Sequence, residues 1–270
     1  MLEQTRPDGH GRARGLVSSR VSGQRVASAT FAPSPDLAGL IETYWMTAWS
    51  LDGQPPHVAE VLTDPCVHVV FEVGKSRVVG VNTKLFRREL TGSGRIRAVK
   101  LKAGAAKGLL PRSIATWNDT VTPLREVFEG AERLERRVLS GADQQGFAAL
   151  EAWLLETLRP VDADVRLAVG VVERMTRQTD VTTVKQVCAL AGLTTRPLQR
   201  LFRDCVGVSP KWVLRRLRLR DLAVRLERGE AASLAQLAAD LGYADHAHLS
   251  RDFKRATGRT PSQFARAVWK

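Results

Sequence analysis

The chain has 270 residues, of which 44% are hydrophobic and 26% charged, enough for two domains with a core each. No apolar run is long enough to cross a bilayer, and the three cysteines, Cys66, Cys188 and Cys205, are too few for a disulfide framework, so a reducing cytoplasm and no membrane partner are expected. The formal charge of +13, from 41 Lys and Arg against 28 Asp and Glu, points to a polyanionic partner.

Residues 1–29 carry Arg6, Arg12, Arg14, Arg20 and Arg25 among Gly and Ser, with little apolar content. A disordered tail is expected, because such a segment cannot bury enough surface to order itself. It has neither the apolar core of a secretory signal nor the amphipathic stripe of a transit peptide.

From Phe31 onward strand signals take over. Residues 58–62, 66–73, 77–81 and 96–102 are β-branched or alternating runs, separated by the turn formers Asp64-Pro65, Gly74-Lys75 and Thr91-Gly92-Ser93-Gly94. They predict a small antiparallel sheet or partial barrel. In the last run, alternation puts Ile96, Ala98, Lys100 and Lys102 on one face and Arg97, Val99 and Leu101 on the other, which is not a clean burial pattern. Cys66 and His68 share a strand face with His57 nearby in sequence, so a Cys/His metal site is conceivable. Without a Cys-x-x-Cys pair or clustered carboxylates, the core reading is preferred, and no metal or cofactor is expected.

Two helical stretches follow, 124–139 and 143–158. In the second, Phe147, Leu150, Trp153 or Leu154, and Leu158 form a stripe at helical spacing. The stripe either packs on the sheet or forms a dimer interface. Arg159-Pro160-Val161-Asp162 then reads as a short linker.

The last hundred residues contain one unit twice. A short apolar helix, Val184–Ala191, leads through Gly192 and Thr194 to Leu198, Arg200, Phe202, Arg203, Gly207, Ser209 and Pro210. Residues 234–241 lead in the same way through Gly242 and Asp245 to Leu249, Arg251, Phe253, Lys254, Gly258, Thr260 and Pro261, at an offset of 50 residues up to the glycine and 51 after it. Val184, Val187 and Leu190, and likewise Leu234, Leu237 and Leu241, give each first helix one apolar face. The glycines suit left-handed helix ends, and Thr194 and Asp245 suit the cap of the next helix. Pro197 falls in a first turn, where no hydrogen bond is lost. Between the copies, residues 210–226 predict one continuous helix of about 15 residues, a spacer of about 20–25 Å, with Arg215, Arg216, Arg218 and Arg220 directed at phosphates or paired with Asp221 or Glu227.

Two helix-turn-helix units with basic and polar residues at their second helices suit the DNA major groove. The outward positions are Thr195, Arg196, Gln199, Arg200 and Arg203 in the first copy. In the second they are His246, Ala247, His248, Ser250 and Arg251, with Lys254 and Arg255 one turn further on. From position 163 to the end, 20 Lys and Arg stand against 10 Asp and Glu, so most of the net charge lies on the segment with the repeats.

The quoted residues also carry a family resemblance. Leu193-Thr194, Leu198-Gln199-Arg200-Leu201-Phe202, Gly207-Val208-Ser209-Pro210, Arg216-Leu217-Arg218-Leu219, Leu241-Gly242-Tyr243-Ala244-Asp245, Leu249-Ser250-Arg251-Asp252-Phe253-Lys254, Gly258-Arg259-Thr260-Pro261 and Phe264 make residues 164–267 resemble the DNA-binding domain of AraC/XylS-type transcription regulators. The resemblance implies recognition helices opening at Thr195 and His246. It implies base contacts from Arg196, Gln199 and Arg200, and from His246, Ala247 or His248 and Arg251. The chain departs from the family pattern at Ala247, Leu249 and Ala265, where Ser, Phe and Arg are frequent. Tyr44-Trp45, Val61-Leu62-Thr63-Asp64-Pro65-Cys66-Val67-His68, Gly80 and the Pro123-Leu124 to Val127-Phe128 run make residues 35–130 resemble the cupin-like sensing domain found ahead of some such regulators, which implies a small-molecule effector pocket.

The expectation is an α+β two-domain chain. A tail over 1–29 is followed by a sensing and dimerisation domain over 30–160, a small cupin-like β-barrel or sheet with flanking helices. An all-α DNA-binding domain over 161–270 carries helix-turn-helix motifs at about 182–206 and 233–257, joined by a long helix. The function expected is that of a bacterial-type, nucleoid-associated transcription regulator, not an enzyme. Its partners would be a double-stranded DNA operator, a small-molecule effector, a second copy of the chain and RNA polymerase. One alternative is a DNA-repair alkyl acceptor or metal-dependent enzyme using Cys66, since similar DNA-binding domains are joined to an alkyl-accepting cysteine in DNA-repair methyltransferase regulators. Pro65-Cys66-Val67-His68 does not match the Pro-Cys-His-Arg motif of that chemistry. Another is a nonspecific nucleoid-type DNA binder.

Overall fold

The computed structural model describes residues 4–5, 16–18, 26–229 and 233–269, with side chains over 26–229 and 233–267. The described strands are β1 Gln4–Thr5, β2 Leu16–Ser18, β3 Val26–Phe31, β4 Ile41–Leu51, β5 His57–Val61, β6 His68–Phe71, β7 Arg77–Val79, β8 Phe86–Leu90, β9 Gly92–Leu101 and β10 Val121–Pro123. They form two open sheets, one of seven strands in the order β1-β3-β4-β9-β6-β7-β10 and one of three in the order β2-β5-β8. Of the two forms expected, barrel or sheet, the barrel is corrected to this pair of sheets. Parts of the expected tail are strand: β1 pairs with β3, β2 with β5, and β3 already begins at Val26. The rest of residues 1–25 lies outside the described residues.

β4 pairs with β3 on one side and β9 on the other, and no strand was expected there. Tyr44 and Met46 belong to the core beneath the helices, whereas Trp45 and Trp49 pack with Val70, Val79, Leu90, Ile96 and Ala98 on the other face of the large sheet. A strand covered on both faces loses the apolar and polar alternation that would mark it.

The same geometry explains the mixed pattern of β9. Arg97 faces the helices and is fully buried beside Val99 and Leu101. Its guanidinium donates to the carbonyls of Val138 at 2.5 Å, Ser140 at 3.1 Å and Gly141 at 2.8 Å, and its Nε to Asp143 Oδ1 at 2.9 Å. These groups close α1 Ala131–Leu139 and open α2 Asp143–Thr157. A cation at a helix C-terminus satisfies free carbonyls, so one buried arginine fixes both helices on the sheet. The helix expected over 124–139 is broken: Leu124–Glu126 is a 3₁₀ turn, and α1 starts after Gly130. The stripe on α2 packs on the sheet, with the Phe147 ring 4.8 Å from that of Phe31 and 5.5 Å from that of Tyr44.

The rest of the chain is helical: α3 Ala163–Arg177, α4 Val184–Ala191, α5 Thr195–Leu201, α6 Pro210–Glu227, α7 Leu234–Asp240, α8 His246–Thr257 and α9 Pro261–Trp269. α5 widens into a π turn over Phe202–Val206. α3, which has a broad apolar face at Val165, Ala168, Val172 and Met175, was not expected. One core runs from Phe31 through Phe147 and Leu150 to Val187, Leu198 and Phe202. A second gathers Leu222, Leu237, Leu249, Phe253 and Phe264 together with Leu62, which lies between β5 and β6. The sheet-rich half therefore contributes to both cores. The short linker is held down, because Arg159 donates to the carbonyls of Lys107 at 2.9 Å, Gly108 at 3.3 Å and Leu110.

A buried charge cluster also joins the halves. Asp64 accepts from Lys100 at 2.7 Å and from Arg220 of α6 at 2.6 Å. Burial alone would raise its carboxyl, but the two cations outweigh burial and hold it well below the usual carboxylate range. A depressed native pKa contributes stability that is complete above the unfolded value near 4 and is lost as pH falls below it. Stability is therefore expected to fall steeply below about pH 4. Asp64→Asn should strand Arg220 and leave Lys100 with Glu42 alone, cost about 3 kcal/mol at neutral pH and flatten that acid slope, as urea unfolding across pH will show. Arg97→Met should cost a similar amount, about 3 kcal/mol, by leaving three carbonyls and Asp143 bare; a loss below about 1 kcal/mol would mean that water replaces the guanidinium.

Candidate nucleic-acid interface

Each of the two C-terminal helix pairs is built from local signals. Thr183 opens α4 in a reciprocal cap with Gln186, and Ser233 opens α7 by accepting from the Gln236 N–H at 3.2 Å. Gly192 and Gly242 then turn the chain at φ of 64° and 67°, the left-handed region that favours glycine. Asp245 caps α8 by accepting from the His248 N–H at 2.6 Å, a bond that lowers its carboxyl pKa. Thr194 is corrected, since its side chain makes no cap bond to α5. Val187, Leu198, Leu201 and Phe202 are buried behind the first pair, and Leu237, Leu241, Leu249 and Phe253 behind the second.

The residues singled out in the sequence fall on the outer sides of α5 and α8. Thr195, Arg196, Gln199, Arg200 and Arg203 are all exposed. Among the described residues Arg196, Gln199 and Arg200 enter no ion pair and no side-chain hydrogen bond, so their donors are free for a partner. Arg203 lies 3.6 Å from Asp204. On the second pair His246, His248, Arg251, Lys254 and Arg255 are exposed, whereas Ala247 and Ser250 are half-buried. His248 rests edge-on against Tyr243 at 5.2 Å, and Arg255 lies 3.8 Å from Asp252.

The arginines of α6 are engaged within the protein. Arg215 grips Asp252 with two bonds, at 2.9 and 3.0 Å. Arg216 is buried, stacks 4.5 Å over Trp212 and donates to the Thr83 carbonyl at 2.8 Å. Burial pushes its pKa down to about 10, still far above neutrality. Arg218 donates to the Thr182 carbonyl, and Arg220 to Asp64. The phosphate role expected for these four is corrected: each holds a carboxylate or carbonyl. Two cations that sequence reading passed over, Lys185 on α4 and Lys211 on α6, are exposed. Exposure of a lone lysine leaves no trace in apolar periodicity, so only their place beside the helix caps could have marked them.

Cys66 is buried with its Sγ 3.8 Å from Glu42 Oε2. Burial pushes its thiol well above the ordinary value, whereas nucleophilic attack needs the thiolate. His68 accepts from the Trp45 indole N–H at 3.3 Å, and burial lowers its pKa to about 3, so the ring is neutral. Lys100 takes both Asp64 and Glu42, which leaves the nearby carboxylates committed.

Comparison with known proteins separates the two halves. Residues 29–123 match a domain of unknown function (DUF6597), and residues 187–267 match a helix-turn-helix domain. An uncharacterised HTH-type transcriptional regulator of Haemophilus influenzae is 31% identical over 85 residues, covering 32% of this chain and 28% of that protein. The RCS-specific HTH-type transcriptional activator RclR of Escherichia coli is 30% identical over 86 residues, covering 32% of this chain and 30% of that protein. The chain thus spans under a third of these curated relatives. ToxT K231A from Vibrio cholerae aligns over 92% of this chain and 100% of its own, at 11% identity and a TM-score of 0.39. The helical end of the chain is a helix-turn-helix domain of the AraC/XylS transcription-regulator type.

Proposed function

We propose that the protein is a sequence-specific DNA-binding transcription regulator with two reading heads, one at residues 182–206 and one at 233–257. α5 and α8 enter successive major grooves. The observation that carries this reading is the contrast between neighbouring arginines: those of α6 are all engaged, while Arg196, Gln199 and Arg200 of α5 stand exposed and without partners. Arginine pairs bidentately with guanine and glutamine with adenine, each pair giving about 1–3 kcal/mol of discrimination. α6 has 18 residues and so spans about 27 Å, which suits heads placed one helical turn of DNA apart, about 34 Å. The second head, with His246, His248 and Arg251 ahead of Lys254, is the weaker reader and the stronger phosphate anchor. Lys185 and Lys211 add phosphate contacts. We assign residues 30–160 to sensing a small molecule, with Asp64 and Glu60 carrying its state to α6 and Arg259.

Arg196→Ala and Gln199→Ala are expected to narrow the gap between specific and random duplex by roughly tenfold each. Lys254→Ala should weaken both duplexes alike and lower the salt slope by about one. Competition binding at fixed salt measures this; equal losses on both duplexes from all three changes would remove the assigned roles, and equal wild-type affinity for unrelated duplexes would favour a nonspecific binder. Incubation with alkylated duplex should leave the protein mass unchanged, and an adduct on Cys66 would restore the repair reading.

A further inference from the structure

Arg218 lies on α6 where the two helix pairs touch. Its Nη2 donates to the backbone carbonyl of Thr182, just ahead of α4, and its guanidinium lies over the ring of Tyr243, 5.6 Å from the centroid. Tyr243 is buried and directly follows Gly242, the turn between α7 and α8. A side-chain carbon placed on Gly242 would stand 3.3 Å from Thr182 Cγ2, so the approach to the first pair and the turn of the second are already packed together. From Tyr243 the contacts run into α8 along two routes. The ring meets His248, and the hydroxyl donates to Asp252 at 3.5 Å, which Arg215 holds from the other side.

We propose that Arg218 is a positioning residue that sets the placement of α8 relative to α5, and through it the number of base pairs between the two half-sites the protein accepts. The inference rests on the two-headed DNA-binding reading above. A single base pair of spacer moves the second half-site by about 3.4 Å along the duplex and roughly 35° around it. Arg215 and a shared core hold α8 on α6, and Arg218 is the α6 guanidinium that contacts the second pair at Tyr243 and also reaches the approach to α4. The clasp closes the triangle. Its carbonyl bond and its ring contact are both directional, and both are made by one guanidinium with little freedom to shift.

The test is selection from a random duplex library, followed by sequencing of the bound pool. The wild-type protein should return two half-motifs with one dominant spacer. Arg218→Met, which keeps the side-chain bulk and removes the donor, should return the same half-motifs with the spacer spread by a base pair in each direction. The preference for the best spacer over its neighbours should fall from roughly tenfold to about twofold. Arg218→Lys keeps a donor for the Thr182 carbonyl and should restore the narrow distribution. A single spacer retained by Arg218→Met would overturn the proposal and leave α6 as the ruler. Should that variant not bind, Tyr243→Leu opens the clasp from the other side and carries the same expectation, and an unchanged spacer there overturns it equally. A wild-type pool with no bipartite motif would instead remove the two-headed reading itself, and the clasp with it.

Discussion

A helix with five arginines cannot be packed on all sides unless each guanidinium that loses water finds an acceptor, and α6 is packed in this way. The acceptors come from several of the elements around it. Asp252 of α8 takes Arg215, the Thr83 carbonyl takes Arg216, the Thr182 carbonyl takes Arg218, and Asp64 takes Arg220. Apolar packing tolerates small slides, but a guanidinium bond does not, because a displacement of about an ångström leaves a buried donor bare. The arginines therefore place the sheet-rich half, the first helix pair and the second pair in one frame. Arg97 plays the same part at the other end of the molecule, where it joins β9 to α1 and α2.

This engagement sorts the positive charge. The net charge of +13 describes the whole chain, and much of the arginine content of its last hundred residues is used inside the protein. What stays exposed at the helix pairs and outside any ion pair among the described residues is a smaller set, Lys185, Arg196, Arg200, Lys211, Arg251 and Lys254. On the proposed reading a polyanion would meet these, and the charges of α6 would act on it mainly through the field of a partly neutralised interior.

The helix pairs were legible in the sequence because their signals are local: a capping residue, a glycine at positive φ and an apolar residue every third or fourth position. The exposed positions of α5 and α8 follow from the same periodicity. Pairings over long separations were not legible. Nothing in Arg215-Arg216-Leu217-Arg218 says that its partners are Asp252, Thr83 and Thr182, and such a run reads equally well as a phosphate-facing stripe. β4 was hidden for a related reason, since burial on both faces erases alternation. Arg97 inverted the reading of β9, because a buried charge looks polar to any rule that works on residue type. Thr194 shows the limit of local rules, as its position is right for a cap and its side chain does not make one.

The two helix pairs are attached to the sheet-rich half by different forces. The first shares its core: Val187, Leu198 and Phe202 belong to the same apolar body as Phe31, Val99 and Phe147, and Ser113 and Asn118 bond to Asp204 and to the Gly207 carbonyl across the seam. The second has its own core, which Leu62 joins and Leu85 packs against, and is also tied through charge, by Arg259 to Glu60 at 2.8 Å and through α6 by Arg220 to Asp64. Apolar burial is not electrostatically screened by salt, whereas the partly exposed pair at Glu60 is. A change in β5, which carries Glu60, therefore reaches the second pair through a contact that can open without dismantling a core. The first pair moves only if the core moves. On the two-headed reading proposed above, the head assigned the weaker readout is also the more loosely tied one, and the clasp at Arg218 would keep it in step with the first.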